Sequence, residues 1–396
     1  MSYDKLGVLP EYVDEILPEH LPDGLLSIAV FGPGKGEAIV VRLPDGSIGV
    51  VDGCLEPTYG DKDPTGEGDP VRELLNRIAP ARLLFACLTH AHADHYAGLG
   101  RLLAAYQKRA DHVWMVLDAG GPFMKAQLAI LKRRRARKTS LPDAANPKGL
   151  ERVLTQFSEA HRSHTSKLNY LQAGMPLLAI KHGTKRVRIT ACGPAPSEID
   201  RLKESLTKAI DKSIKQGEET EQEFDLNIAS GALLIRWAKA GVLLAGDLLC
   251  STNENAGWTN AAEHIDGPIQ IVNVAHHASK EAHDEALWKK MLPQLAIVTP
   301  FNHGATHEMV RNGITGIKKH PPRPEQIAFL AQSSTVAITS PPRWDGEINP
   351  PKARRHSTPT PATPTPPHRN AVAVSLDSAG IIQKFVLAGQ ADVYVP

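Results

Sequence analysis

The chain has 396 residues, 42% hydrophobic and 22% charged, with a formal net charge of +2. That is enough apolar material for one large domain or two ordinary ones, and the near-neutral balance excludes a global attraction to nucleic acid, so any such attraction must be local. No run approaches 18 uninterrupted apolar residues, which excludes a helical membrane span, and the N-terminal stretch lacks the apolar segment of a secretory signal.

Residues 1–24, acidic and proline-bearing, read as a loosely ordered or helical leader. From 25 the runs LLSIAVFG, EAIVVRLPDG and SIGVVDGC predict strands, with PDG at 44–46 as a hairpin turn. Gly, Pro and Asp fill 56–70, which predicts a loop. VRELLNRIA (71–79) predicts a helix and 81–88 a buried strand. A helix from Leu99 to about 109 and a strand over HVWMVLDA (112–119) follow. Residues 122–175 read as a helical, basic insertion or cap: seven cationic residues lie between Lys125 and Lys138, and no acidic residue precedes Asp143.

The β pattern resumes at KRVRITACGP (185–194). Residues 197–224 predict a charged amphipathic helix, and 230–249 two strands split by a Lys-Ala-Gly turn. IQIVNVAHHAS (269–279) predicts a strand ending in two histidines. QLAIVTPFNHGATHEM (294–309) predicts a strand opening into a histidine-bearing loop. Nine prolines within 341–367 exclude regular structure, so 341–368 reads as a flexible loop or linker. AVAVSLD and IIQKFVLAG, within 369–396, predict a C-terminal hairpin packed on a main domain over 25–340. Strands alternating with helices, and hairpins at both ends, argue for mixed α/β (α+β) layers. Cys54, Cys87, Cys192 and Cys250 form no CxxC pair, so reduced thiols in a cytoplasmic protein are expected rather than a disulfide framework.

The chemistry is concentrated in THAHADHYAGLG (89–100). His90, His92, Asp94 and His95 occupy six positions on a strand-to-helix turn. Three more strands end in groups of the same kind: Asp247 after GVLLAG, His276 and His277 after IQIVNVA, His303 and His307 after LAIVTP. An isolated HxH or Gly-Asp says little, and loop histidines such as His303 and His307 are equally well explained by solvation. Four strand ends carrying such groups suit two divalent cations about 3.5–4 Å apart, bridged by a carboxylate. Imidazole and carboxylate favour Zn²⁺, with Mn²⁺ or Fe²⁺ as alternatives.

THAHADHYAGL resembles the HxHxDH signature of the metallo-β-lactamase superfamily. The resemblance implies an αββα four-layer sandwich with the metals at one edge between two sheets. Weaker motifs, in order over about 25–310, are similar to the ComEC-type branch, the soluble domain of competence proteins. They are FGPGKGEAIVV (31–41), with Glu37 where that branch has Asp; VVDGC with Asp52; Asn227-x-x-Ser230; Gly246-Asp247; HHAS (276–279) for HHGS; and ATHEM, which aligns His307. Alanine in HHAS keeps the turn if its φ is negative. His161, His164 and His182 lie in polar or basic surroundings and are assigned no role, so the separate histidine ligand of many superfamily lactamases is absent, as it often is in the ComEC-type branch.

On this reading His90, His92 and one of His276 and His277 hold one ion, Asp94 and His95 the other, and Asp247 bridges. Asp94 also orients the attacking hydroxide, and His307 protonates the leaving oxygen. Asp52 holds a ligand imidazole by its N–H, and Ser279 caps a helix whose first turn is Lys280 to Asp284. The resemblance implies a two-metal phosphodiesterase or nuclease acting on DNA or RNA held by basic 125–138. Aromatic residues, 5% of the chain, do not interleave with that run, so no base-stacking platform is expected. Two alternatives are a small-molecule metallohydrolase of an ester, lactone or phosphodiester, with the insertion as a lid, and a binding protein with a vestigial site. The intact HxHxDH set stands against the last.

Overall fold

Short apolar runs build two sheets. The computed structural model describes residues 6–33, 36–54, 69–105, 110–117, 121–136, 147–162, 167–215, 226–301, 321–342 and 369–394. In its first half, β1 (Glu11–Val13), β2 (Leu26–Phe31), β3 (Ala38–Arg42) and β4 (Ile48–Val51) precede α1 (Pro70–Ile78), β5 (Leu83–Leu88), α2 (Ala93–Tyr96) and α3 (Leu99–Ala105). Then come β6 (Ala110–Met115), α4 (Pro122–Ala136), α5 (Pro147–Arg162) and β7 (Lys167–Tyr170). The second half runs β8 (Pro176–His182), β9 (Lys185–Gly193), α6 (Pro196–Lys215), β10 (Ala232–Trp237), β11 (Ala240–Leu244), α7 (Gly257–Ala262), β12 (Ile271–Asn273), α8 (Glu285–Met291), β13 (Leu295–Val298), α9 (Pro324–Ser333) and β14 (Thr335–Ile338). β15 (Ala371–Leu376), β16 (Ile382–Ala388) and β17 (Asp392–Tyr394) close the chain.

The first sheet has the order β1-β16-β15-β2-β3-β4-β5-β6-β7, the second β17-β14-β13-β12-β11-β10-β9-β8. Side chains alternate across each strand. Leu233, Ile235, Val242, Leu244, Leu295 and Ile297 therefore join the core between the sheets. Their neighbours Leu234, Leu243, Ala296 and Val298 join a second core with Trp258 of α7, Trp288 of α8 and Leu330 of α9. On the far side, Leu74 and Leu75 of α1, Leu102 of α3 and Phe157 of α5 cover the first sheet. The layers are thus α, β, β and α, as the resemblance implied. Among the described residues no helix is long and apolar enough to cross a membrane.

Several expectations need correction. Residues 6–24 of the leader are not loose: β1 pairs in parallel with β16, and Leu6, Ile16 and Leu21 are buried. The basic segment is helical in α4 and α5, but 167–170 is a strand, because β7 extends the first sheet beside β6. α5 packs against α3. Residues 176–182, given no element by pattern, form edge strand β8. The C-terminal hairpin does more than pack on the domain: β15 is inserted beside β2, and β17 crosses to pair with β14 of the other sheet. Residues 56–68 of the expected 56–70 loop, 216–224 of the expected 197–224 helix, His303, His307, and 343–368 of the proline-rich segment lie outside the described residues.

Candidate metal centre

The parallel strands β4, β5, β11, β12 and β13 deliver their C-terminal ends to one edge, where open α/β sheets place ligands. Asp52 follows β4, His90 follows β5, Asp247 follows β11, His276 and His277 follow β12, and Thr299 follows β13. His92 is the extended residue before α2, and that single turn carries Asp94 and His95, both buried, back toward the sheet edge. Gly36 lies behind the turn at φ 80°, where a Cβ would overlap the Asp94 carbonyl.

Asp247 sits between two groups of side chains. Its Oδ2 lies 3.4 Å from His90 Nε2, and its Oδ1 lies 3.4 Å from His95 Nε2 and 4.0 Å from His277 Nε2. His90, His92 and Asp247 offer ligand atoms within 4.8 Å of one another, and so do Asp94, His95 and His277. His277 Nε2 stands 3.2 Å from Asp94 Oδ2. The sequence placed one of His276 and His277 with His90 and His92 without deciding which; the geometry puts His277 instead with Asp94 and His95.

The rings of His95, His277 and His90 are oriented from behind. Asp52 accepts from His95 Nδ1 at 2.7 Å, as expected of it. His277 Nδ1 donates to the Thr299 carbonyl at 2.8 Å. His90 Nδ1 lies 3.1 Å from Thr89 Oγ1 and 3.3 Å from Ser230 Oγ, and Ser230 Oγ accepts from Asp247 N at 2.9 Å. These contacts leave the Nε2 atoms facing inward. His90 Nε2, His95 Nε2 and Asp247 Oδ1 are buried without a hydrogen-bond partner. Orphaned buried polar atoms are costly, and three that converge in a His/Asp cluster fit divalent cations.

The electrostatics match. Burial alone would raise the Asp94 and Asp247 carboxyls, but His95, with His277 at Asp94 and His90 at Asp247, holds both well below the usual range. Burial would lower His95, yet Asp247, Asp94 and Asp52 push it well above its ordinary value; His277 is raised against burial by its hydrogen bond to Asp94 and by Asp247. His92, pressed down by burial and then by His90, falls to about 3.

The negative φ on which the HHAS turn is conditional is not found: Ala278 has φ 58°, in the left-handed region. Ser279 is not the N-cap of the following helix: Asp284 caps α8, accepting from Leu287 N at 2.7 Å, while Ser279 Oγ lies 2.9 Å from His276 Nδ1. Sequence reading also missed the work of Glu37. Buried, it accepts from Asn273 Nδ2 and Thr299 Oγ1, each at 2.9 Å, and so braces the residue that orients His277. Its signal was a carboxylate opening an apolar strand.

The Metallo-beta-lactamase superfamily model matches residues 32–303. The fold is similar to the metallo-beta-lactamase fold protein YhfI from Bacillus subtilis, at 13% identity over 79% of this chain and 96% of that one, TM-score 0.38. It is similar to the short form of human tRNase Z, at 12% identity over 69% and 92%, TM-score 0.33. Zn²⁺-bound PqqB from Methylobacterium extorquens is 10% identical over 78% and 97%, TM-score 0.34. No curated protein matches. With the family model spanning more than half its length and the signature residues gathered at one sheet edge, the chain belongs to the metallo-β-lactamase superfamily, whose members are mostly hydrolases.

Proposed function

We propose that this metal-dependent hydrolase is a two-metal phosphodiesterase, most specifically a nuclease, related to the ComEC-type branch. One observation carries the reading: the two oxygens of Asp247 face two separate groups of imidazoles, one led by buried His90 and the other by buried His95. His90 and His92 would hold one cation with Oδ2, and Asp94, His95 and His277 the other with Oδ1. When bound, the cations supply a water acidified toward neutrality and neutralise charge on the scissile group. Asp94, kept ionised, accepts a hydrogen bond and orients the attacking water. His307, outside the described residues, is our candidate for protonating the leaving oxygen. Zn²⁺ is the expected ion.

The polymer part of the proposal rests on α4. The basic sequence over 125–138 would offer an anionic strand several contacts. One of these cations is engaged within the protein, since Lys132 pairs with Glu151 of α5 at 2.7 Å, but the pair is exposed and weak. The competing small-molecule reading needs α4 and α5 as a lid.

The test is a paired cleavage assay with Mn²⁺ or Zn²⁺ on labelled single- and double-stranded DNA and RNA and on bis(p-nitrophenyl) phosphate. Wild type should cleave polymer, the Asp94→Ala/Asp247→Ala variant nothing. Reversing the charges of Arg133–Arg135 should abolish polymer cleavage and spare the small diester. Turnover of the small diester alone by wild type would defeat the nuclease reading and favour the lid.

A further inference from the structure

The two groups around Asp247 are unequal. The second has three side chains of its own, Asp94, His95 and His277. The first has two, His90 and His92, and among the described residues no other His, Cys, Asp or Glu completes it within the same spacing. Beside it stands a histidine the proposed function leaves unused.

His276 Nε2 lies 4.0 Å from Asp247 Oδ2, the oxygen that faces His90, whereas His277 Nε2 lies 4.0 Å from Oδ1. Adjacent residues of a strand point to opposite faces, so two neighbouring rings reach one centre only if the backbone leaves the strand. It does so here. His276, His277 and Ala278 have φ 45°, 55° and 58°, a left-handed run costly for residues with a Cβ. The run is pinned from outside: His276 N donates to the Gly246 carbonyl at 2.9 Å, next to Asp247, and Arg323 N to the Ala278 carbonyl at 3.0 Å. Strain persists where the surroundings hold it, and it clusters at functional sites. The rings end 6.4 Å apart with planes 54° askew, fanned to the two sides of Asp247.

The His276 ring is prepared as those of His90, His95 and His277 are. Ser279 Oγ, 2.9 Å from Nδ1, takes its N–H, which leaves the lone pair on Nε2. Asn227 Nδ2 lies 3.1 Å from that nitrogen. The ring is 29% exposed, against 2% for His277, so it has room to turn the short distance from the amide toward the first group.

We infer that the adjacent histidines are divided between the two cations, with His276 as the third imidazole of the His90–His92–Asp247 group and Asn227 as the partner it exchanges for the ion. The inference rests on the two-cation reading above.

Cobalt(II) is the probe, added to chelator-stripped full-length protein, with d–d absorption and competition against a chromophoric chelator as readouts. Wild type should bind two ions. His276→Gly, which suits a left-handed backbone, should weaken one of them by at least about tenfold and change its absorption band, leaving the other in place. His276→Asn, which also tolerates that backbone, should do the same. His277→Gly should weaken the other ion. Two ions held by His276→Gly with wild-type affinities would overturn the inference while sparing the two-cation reading. Equal weakening of both ions would also overturn it, because a ring that merely buttresses Asp247 would act on both. Wild type that binds no cobalt would instead overturn the two-cation reading itself.

Discussion

The carboxylate of Asp52 accepts the Nδ1–H of His95 at 2.7 Å, with both side chains wholly buried. The same carboxylate accepts from Thr89 N at 2.8 Å and Thr89 Oγ1 at 2.6 Å. One residue thereby fixes both the backbone that enters the HxHxDH turn and the ring that leaves it. Asp52→Asn keeps the shape and tolerates φ 58°, but turns one acceptor into a donor against a donor. It should lower cobalt affinity by about 10–100-fold. It should also destabilise the fold by about 1–3 kcal/mol, read by urea unfolding. Wild-type affinity in this variant would mean that the contact does not tune the site.

Glu37 should act on one group alone. Glu37→Ala leaves the buried Asn273 Nδ2 and Thr299 Oγ1 donors without their acceptor, at a cost of about 2–4 kcal/mol. Thr299 then holds His277 less firmly, so the ion at Asp94, His95 and His277 should weaken while the ion at His90 does not. Equal loss at both would contradict this route.

Metal uptake should release protons. His95 and His277 are raised above their ordinary values by the surrounding carboxylates, which favours the protonated imidazoles that a cation must displace. Asp94 and Asp247 are held low, and His92 sits at about 3, so none of these contributes. Uptake should therefore release protons near neutral pH, and affinity should rise with pH. Calorimetry in two buffers of different ionisation enthalpy counts the protons. A heat independent of buffer would refute the expectation.

Ala278 pays for its left-handed backbone, at φ 58°. Ala278→Gly should stabilise the fold by about 1 kcal/mol without changing metal affinity, since the side chain ligates nothing. A lower unfolding midpoint would show that the alanine methyl packs better than the strain costs; that methyl is fully buried in the second core.

Much of the site was legible because its signals are local. LLFACL and IQIVNV are apolar enough to be buried strands, and a strand must end, so the polar residues that follow land on a sheet edge. The HxHxDH spacing places four metal-binding side chains within a turn and a half. Asp247 was readable for the same reason, after GVLLAG. Ser279 was misread because a serine before a charged turn looks like a cap, and the competing carboxylate, Asp284, stood only five residues on.

By itself the sequence determined which residue types could bind metal, that they follow strands, and that helices and strands alternate into layers, because hydrophobic periodicity and ligand chemistry are properties of short segments. The tertiary structure decided the rest. β1 joins the sheet through β16, across most of the chain, and no local pattern encodes a partner so distant. Glu37 braces His277 through Thr299, 262 residues away. The facing of His276 and His277 depends on a left-handed backbone held by two hydrogen bonds, His276 N to the Gly246 carbonyl and Arg323 N to the Ala278 carbonyl, which bring together segments far apart in sequence once the second sheet has formed.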